Sequence, residues 1–459
     1  MTDAFVPLTP PGPKSRMPGD LLLRFRRDPL AFFLGIAREH GEVARFRVAG
    51  QWVYMLNDPE LIKEALVGQN KHFVKGGALK RSKFLMGEGL LTSEGDHHLR
   101  QRRLVQPAFH RARIGAYADV MASYAERVGD RWADGQELDL AHEMMHLTLA
   151  IAGKTLFDAD VEGEAAEIED IVNALLAIFG VVTLPGSAIW RRIPTSRNRR
   201  AQRAIERLDA IVHRMIADRR ASGASDRGDL LSMLIMSQDT EGDGGGMTDK
   251  QVRDEAVTLL LAGHETTANA LNWLFWQVAR HPEVESKLHA ELDAVLGGRL
   301  PTMADLKNLP YTEKVITESL RLYPPGWAIA RLAAQPVTLG RVKVPRGALV
   351  FMSPYVMHRN PRYYPDPERF DPDRWTPEFK SGLPKFAYFP FSGGARGCIG
   401  EPFAWMEAMI IVATLAQRWR IHPVEGHPVV PEPLVTLRPK HGIQVRLEAR
   451  RPVTAGAPV

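Results

Sequence analysis

The segment from Thr248 to Pro282 constrains the fold of this chain more than any other feature. Thr248 and Gln251 have the spacing of a capping box, in which each side chain bonds the backbone of the other residue, and no proline follows until Pro282. These signals predict a single helix of about 48 Å at a rise of about 1.5 Å per residue. Because the segment is apolar nearly all round, the helix should run through the protein interior.

Other segments predict a mainly α protein with a small β-rich part. Helical periodicity covers residues 116–135 and 199–223, and Gly223 ends the second of these as a C-cap should. Strand signals are few and comprise a hairpin over residues 46–57, turning at Ala49 and Gly50, and the residues 337–352.

Three segments are expected to be irregular. The polar, glycine-rich residues 237–250 have the composition of a mobile loop. The proline-rich residues 1–20 and the tail 449–459 are expected to be loosely ordered.

Composition excludes several classes of protein. Cys398 is the single cysteine among 459 residues, so no disulfide and no zinc–thiolate cluster can form within one chain. Lys plus Arg number 59 against 54 Asp plus Glu, and a net charge of +5 is too mild to indicate nucleic acid. The chain has no uncharged apolar run of about 18 residues and no signal-peptide pattern at its start. We therefore expect a soluble cytoplasmic protein with no membrane span.

A glycine-rich loop, FSGGARGCIG at residues 391–400, presents Cys398 just before a helical segment. A thiol near a helix N-terminus has its thiolate stabilised by the backbone amides, and a thiolate is what a nucleophile or metal ligand needs. The glycines would let a planar group approach the backbone, and Arg396 could pair with an anion. The alternative is a small buried cysteine without a chemical role.

The loop resembles the haem-binding loop of the cytochrome P-450 monooxygenases. Phe391, Gly394, Arg396, Cys398 and Gly400 fill every fixed place of the family pattern F-x-x-G-x-R-x-C-x-G. The resemblance spans essentially the whole chain and implies the family's mainly α fold with a small β-rich lobe, with haem between the long helix and the Cys398 loop. It also implies one haem domain over residues 1–459 without a fused reductase domain. The cofactor would be haem b (iron protoporphyrin IX), with the Cys398 thiolate as the axial ligand of the iron.

The middle of the long helix, AGHETT at residues 262–267, resembles the family's oxygen-activation segment. A hydroxyl in mid-helix can bond the carbonyl four residues earlier, which bends the helix and opens space. The resemblance implies that Thr266 hydrogen-bonds bound oxygen and that Glu265 relays protons from water. Ala262 lies one turn earlier, and its small side chain would leave room for the haem macrocycle against that face of the helix. The alternative is a polar stripe at a helix crossing.

Further resemblances assign structural and cofactor-binding residues. Glu318 and Arg321 form the family's E-x-x-R pair, and Arg369 of the PERF segment would complete a structural ion cluster. The cations implied for the two haem carboxylates are His98, Arg102, Arg331, His358 and Arg396.

The resemblance implies insertion of one atom of O2 into a hydrophobic small molecule, by hydroxylation or epoxidation. A fatty acid, terpenoid or steroid would fit an apolar pocket, with Arg81 or Lys83 as candidate anchors for a carboxylate. The pocket is expected to be lined by residues 175–184 and by Phe84, Leu85, Met86, Leu90, Leu91, Leu259, Ala262, Gly326, Trp327 and Ile329.

Electrons would come ultimately from NAD(P)H through a separate ferredoxin or flavodoxin with its reductase. The docking patch is predicted to contain Arg100, Arg103 and Lys385.

Three alternatives remain open from the sequence. A peroxide-driven relative would usually lack the acid and threonine pair, and a haem sensor or carrier without enzymatic activity needs no proton relay. HEMMH at residues 142–146 matches the zinc pattern H-E-x-x-H, but Leu149 and Ala152 stand where one extended form of the motif needs Gly and His. A third zinc ligand could be nominated from Glu162, Glu164 or Glu167.

Overall fold

The computed structural model describes residues 8–17, 19–48, 50–158, 171, 174, 193–221, 223, 226–242 and 244–450. The helices are α1 (Asp20–Arg27), α2 (Pro29–His40), α3 (Pro59–Lys63), α4 (Gly77–Arg81), α5 (Lys83–Met86), α6 (Gly95–Val105), α7 (Arg111–Gly115), α8 (Ala118–Arg131), α9 (Leu140–Phe157), α10 (Ser196–Ala221), α11 (Leu230–Met236), α12 (Asp249–Ala279), α13 (Pro282–Leu296), α14 (Pro310–Leu322), α15 (Pro354–Met357), α16 (Pro377–Gly382) and α17 (Glu401–Arg418).

The strands are short, as the sequence predicts. They are β1 (Val43–Val48), β2 (Gln51–Leu56), β3 (Phe73–Lys75), β4 (Glu137–Asp139), β5 (Ile329–Ala333), β6 (Val337–Leu339), β7 (Val342–Val344), β8 (Leu349–Met352), β9 (Trp419–Pro423), β10 (Pro431–Pro433), β11 (Leu437–Pro439) and β12 (Gln444–Ala449). The prediction of a mainly α protein with a small β-rich part is confirmed.

The chain forms two compact units. The first unit contains the described residues of Met1–Gly77 and Leu320–Cys398, and the second contains those of Ala78–Ser319 and Ile399–Val459. Each unit is built from two separate stretches of chain.

The first unit is organised around a five-stranded sheet in the order β1-β2-β8-β5-β3. Its β1–β2 hairpin pairs Val48 with Gln51, so the predicted hairpin is confirmed, with Gly50 in the left-handed conformation at its turn. The neighbouring β6–β7 hairpin and β8 occupy the predicted strand region 337–352. At the far edge, the antiparallel β3–β5 pair places Lys75 opposite Arg331.

The second unit is organised around α12, which packs against α9, α10 and α17. The capping box of Thr248 and Gln251 is present, and the helix ends at Ala279, just before Pro282. Most of its residues are buried, so the predicted interior helix is confirmed. The predicted helices over 116–135 and 199–223 correspond to α8 and α10.

The expectation of a mobile loop over residues 237–250 needs correction. Asp239 is buried, and its backbone exchanges hydrogen bonds with Gly244 and Gly245. Its carboxylate accepts two hydrogen bonds from the Arg103 guanidinium, at 2.8 and 2.7 Å. The composition of this segment did not predict its ordered structure, because the ion pair that fixes the middle of the loop joins residues far apart in the sequence.

Candidate active site

Cys398 lies at the end of a tightly folded loop in the first unit, three residues before the start of α17. Its backbone N–H donates to Phe391 O over 2.9 Å, and the thiol-bearing residue is exposed. Gly394 has φ +71°, and a Cβ there would lie 2.1 Å from Leu66 O. A Cβ on Gly393 would lie 2.6 Å from the Phe386 ring. The loop therefore needs glycine at these two positions. It presents the sulfur of the exposed Cys398, which is a soft metal ligand.

Three cations gather at one pocket of the same unit. Arg331 and Arg396, both predicted from the sequence, line it together with Lys75, which sequence reasoning missed. The lysine is buried at the end of β3, and its place opposite Arg331 follows from strand pairing, which no local pattern reports. The other lining residues are Ala65, Leu66, Asn70, Phe73 and Val74. This charge set fits an anionic group such as a haem carboxylate.

The cation role expected of His358 does not agree with its surroundings. The imidazole is buried, with Nδ1 placed 3.2 Å from Arg321 O and Nε2 accepting from Phe389 N–H over 3.0 Å. Burial lowers the pKa of His358 to about 3, so the ring is neutral. Both ring nitrogens are thus committed to backbone groups, and His358 fixes the segment before the Cys398 loop.

Arg321 is fully buried beside His358 and satisfies three backbone carbonyls. Its guanidinium donates to His358 O over 2.8 Å, Pro367 O over 2.6 Å and Arg369 O over 2.9 Å. The contribution of Arg369 is therefore its carbonyl, while its side chain is exposed, which corrects the predicted ion cluster. Glu318, the other predicted member, is also fully buried.

The second unit holds the predicted AGHETT segment, residues 262–267, which lies within the continuous helix α12. The Thr266 hydroxyl donates to Ala262 O over 2.7 Å, and the Thr267 hydroxyl donates to Gly263 O over 3.1 Å. Ala262 is exposed and Thr266 is half-buried on a helix that is otherwise mostly buried. These are the back-bonds that the sequence predicts, and they leave one small-residue face of the helix open.

Glu265 is buried, and its carboxylate has a specific partner. Thr436 donates its hydroxyl hydrogen to Glu265 Oε1 over 2.7 Å. Burial raises the pKa of Glu265, and the hydrogen bond from Thr436 and the charge of Arg438 partly oppose that rise. A carboxyl group of this kind can hold and release a proton closer to neutral pH than an exposed glutamate. Sequence reasoning missed Thr436, because it is far from Glu265 along the chain.

A second buried acid, Glu407 on α17, was also missed. Burial raises its pKa to about 8, despite a hydrogen bond with Thr267 that acts in the opposite direction. One signal was available in the sequence, since Glu407 interrupts an apolar helix.

His98 and Arg102 lie one turn apart on α6, also in the second unit. His98 is buried and Arg102 is half-buried. Their spacing gives them the same helix face, as predicted.

The predicted pocket segment before His97 is held against α12 by two buried acids. Asp254 Oδ2 accepts from Glu88 N–H, and Glu255 Oε2 accepts from Leu90 N–H, each over 2.9 Å. Phe84 and Leu91 are only partly buried, whereas Leu85 and Met86 belong to the core.

Other predicted pocket residues differ in their surroundings. Leu259 is buried in the core of the second unit. In the first unit, Trp327 packs in an aromatic cluster with Phe33 and Phe351, which corrects its assignment as a lining residue. Gly326 is exposed and Ile329 is half-buried. The predicted residues 175–184 lie outside the described part of the chain.

Two residues of the expected docking patch, Arg100 and Arg103, are engaged in contacts within the second unit. Arg103 binds the buried Asp239, and Arg100 donates to the carbonyls of Gly245 and Gly246, each over 3.1 Å. Both arginines therefore have a structural role. Lys385 is exposed. Lys83, a candidate anchor, pairs with Glu88 at 2.9 Å.

The HEMMH segment does not assemble a metal site among the residues that the structure describes. Glu143 accepts a hydrogen bond from Trp132 Nε1 over 3.0 Å, and His142 is largely exposed. No group of three His, Cys, Asp or Glu residues able to hold a metal occurs in that part of the chain. The other nominated ligands, Glu162, Glu164 and Glu167, lie outside it.

The cysteine loop and the cation-lined pocket of the first unit, and the acid–threonine pair of α12 in the second unit, are the features expected of a haem-thiolate oxygenase. The family model Cytochrome P-450 matches residues 10–447. The haem domain of cytochrome P450DA has a similar structure, with a TM-score of 0.87 and 25% identity, covering 97% of this chain and 99% of that chain.

Three relatives are similar to this chain along most of its length. Cyclooctatin synthase of Streptomyces melanosporofaciens is 40% identical over 90% of this chain and 90% of the relative. Cyclooctat-9-en-7-ol 5-monooxygenase of the same organism is 40% identical, covering 87% and 86%. Pentalenene oxygenase of Streptomyces avermitilis is 36% identical, covering 93% and 94%. The chain belongs to the cytochrome P-450 family.

Membership settles the reaction class. The protein is a haem-dependent monooxygenase that uses O2 and takes reducing equivalents from partner proteins. The donor chemistry found here fits that cofactor, with a thiol for the iron and cations for the carboxylates. In the part of the chain that the structure describes, no helix is long and apolar enough to cross a membrane.

Proposed function

We propose that this monooxygenase oxidises a terpenoid, by hydroxylation or epoxidation. The observation that carries the proposal is 40% identity, over 87% of the chain, to a monooxygenase of cyclooctat-9-en-7-ol. The relative named pentalenene oxygenase supports the same substrate class. The partly buried Phe84 and Leu91 and the exposed Ala262 are apolar, as a hydrocarbon skeleton requires.

The proposal assigns the cofactor-binding residues as follows. Haem, when bound, supplies the activation of dioxygen. Cys398 would bind its iron as thiolate, on the loop shaped by Gly394 and closed by Phe391, with Gly400 as the N-cap of α17. Arg331, Arg396 and Lys75 would bind one carboxylate or both, and His98 and Arg102 of α6 are the further candidates.

Thr266 and Glu265 would transfer protons during the reaction. The Thr266 hydroxyl donates to Ala262 O, and rotation about its side chain would free it to hydrogen-bond a polar ligand on the open face of α12. Glu265 is buried with a raised pKa, so it can take a proton from water and pass it toward Thr266. A sensor or carrier would need neither step.

For electron supply, we propose a ferredoxin or a flavodoxin with its NAD(P)H-dependent reductase, and a cytoplasmic location where NAD(P)H is available. Lys385 is the exposed member of the predicted docking patch. Arg100 and Arg103 are left out of the proposed patch, because their guanidinium groups are bound within the second unit.

The test is a reconstituted turnover assay with a surrogate ferredoxin, its reductase and NADPH. Cyclooctat-9-en-7-ol and pentalenene would be compared with a fatty acid of similar carbon number, and products would be analysed by mass spectrometry. The proposal predicts a terpenoid product one oxygen atom heavier than its substrate. Oxygenation of the fatty acid without any terpenoid product would contradict it.

A matched pair of variants tests the proton step. Thr266→Ala should consume reductant with much less product, by a factor of about 100 or more if one positioned proton-transfer group is lost. Thr414→Ala is the control, because Thr414 is a buried helical threonine with the same kind of back-bond, 2.7 Å to Ile410 O. Equal coupling in both variants would refute the role of Thr266.

A further inference from the structure

Three hydrogen bonds tie one face of α12 to the start of β11. Thr436 donates to Glu265 Oε1 over 2.7 Å, Asn269 Nδ2 donates to Thr436 Oγ1 over 3.1 Å, and Trp273 Nε1 donates to Leu437 O over 2.8 Å. Glu265, Asn269 and Trp273 follow one another at intervals of four residues, so they share one helix face. All of these side chains are buried. Thr436 is therefore held at a fixed position against Glu265.

The direction of the bonds is determined by the chemistry of the groups. A threonine hydroxyl has one hydrogen and accepts through its lone pairs. Because the Asn269 amide donates to the Thr436 oxygen, the hydroxyl hydrogen points to Glu265 Oε1. Oε1 is thereby an acceptor, and Oε2 is the oxygen that can bind a proton.

We propose that Thr436, oriented by Asn269, is a positioning residue that fixes the Glu265 carboxyl and sets its proton affinity. The inference rests on the proposed function, in which Glu265 passes protons toward Thr266. Thr436 does not touch the reacting atoms in this scheme. It selects Oε2 as the oxygen that exchanges protons and stabilises the ionised form of Glu265 against the cost of burial.

The charges around Glu265 are few in the part of the chain that the structure describes. Arg438 on β11 is the cation whose charge acts on Glu265, and its Nε donates to Glu432 Oε2 on β10 over 2.9 Å. His264 on α12 is buried, and burial lowers its pKa, so it is neutral. Glu407 on α17, with a pKa raised to about 8, is mostly uncharged at pH 7. The Thr436 hydroxyl is thus the main polar contact that can be removed without changing a charge.

The experiment measures the titration of Glu265 directly, in the haem-loaded ferrous carbon monoxide complex. Protein labelled with ¹³C at the glutamate side-chain carboxyl is followed by NMR across pH, and the Glu265 signal is assigned by its absence in Glu265→Gln. Thr436→Val removes the hydroxyl and keeps the shape, and it should raise the Glu265 titration midpoint by about one pH unit. Thr436→Ser should restore the midpoint. An unchanged midpoint in Thr436→Val would overturn the proposal.

Trp273→Phe is the matched control, because it removes a hydrogen bond to the same segment without touching the hydroxyl. It should lower the unfolding temperature and leave the Glu265 midpoint unchanged. A midpoint shift as large as that of Thr436→Val would show that placement of the segment controls Glu265, and would overturn the role of the hydroxyl. Thr436→Ala replaces Thr436→Val if the valine variant does not fold.

A last measurement separates this inference from the proposed function. The coupling of product formation to reductant use is recorded across pH for wild type and Thr436→Val. If Glu265 donates protons, the alkaline limb of the coupling profile should move to higher pH together with the NMR midpoint. A shifted midpoint with an unmoved coupling limb would refute Glu265 as the proton donor while leaving the Thr436 positioning intact. An unmoved midpoint would refute the positioning itself.

Discussion

Gly394→Ala should disrupt the Cys398 loop through two separable effects. The first is backbone strain, because Gly394 has φ +71°, and an L-residue there costs about 1–2 kcal/mol. The second is a clash, because the new Cβ would lie 2.1 Å from Leu66 O, where ordinary contacts begin near 3.4 Å. The loop and the Leu66 segment would have to separate by about 1 Å. We expect a total loss of about 3–5 kcal/mol in the free energy of unfolding.

Gly347→Ala isolates the first effect. Gly347 has φ +81° in the same unit, and a Cβ there meets no atom within 4 Å. This variant should lose only about 1–2 kcal/mol and keep its haem spectrum.

The assays are thermal unfolding and the absorption spectrum of the reduced carbon monoxide complex. Gly394→Ala should bind less haem and lose part of the red-shifted Soret band of thiolate ligation, because the loop that carries Cys398 has moved. If Gly394→Ala and Gly347→Ala unfold at the same temperature and keep identical spectra, the close-packing argument for the loop is wrong.

Three further predictions follow from buried polar groups. Arg321→Met should cost about 3–5 kcal/mol of unfolding free energy, measured by urea denaturation, because three carbonyls lose their donor; a loss below 1 kcal/mol would contradict the role assigned to Arg321. Arg103→Met should cost about 2 kcal/mol and increase proteolysis within residues 237–250, because Asp239 loses both hydrogen bonds from Arg103 and keeps only the longer ion pair with Arg100; proteolysis equal to that of Lys385→Met would argue against that anchor. Glu407→Gln should become more stable relative to wild type as pH rises from about 4.5 to about 8, because Glu407 ionises in unfolded wild type while it stays protonated in the folded protein. Above about pH 8 the difference in unfolding free energy between the two proteins should stay constant. A difference that does not change with pH in chemical denaturation would refute the raised pKa of Glu407.

Local signals in the sequence were reliable where the structure depends on neighbours along the chain. The capping box at Thr248, the back-bond of Thr266 and the turn at Gly50 each involve residues within four positions of one another. Such contacts are set by helix and hairpin geometry, so a pattern predicts them directly.

Contacts between distant residues could not be predicted in the same way. Lys75 meets Arg331 through strand pairing, and Thr436 reaches Glu265 from a separate hairpin. Asp239 converts a glycine-rich stretch into an anchored loop because Arg103 comes from another helix. His358 shows the opposite failure, since a motif suggested a cation where burial and two backbone partners make the ring neutral.

The proposed function requires that Cys398 bind haem iron as a thiolate. The most direct measurement is the absorption spectrum of the purified, dithionite-reduced protein with and without carbon monoxide, recorded for wild type and Cys398→Ser. Wild type should show the red-shifted Soret band of thiolate-bound haem, and the serine variant should lose it. A wild-type spectrum of the histidine-ligated type, or a protein that binds no haem, would contradict it.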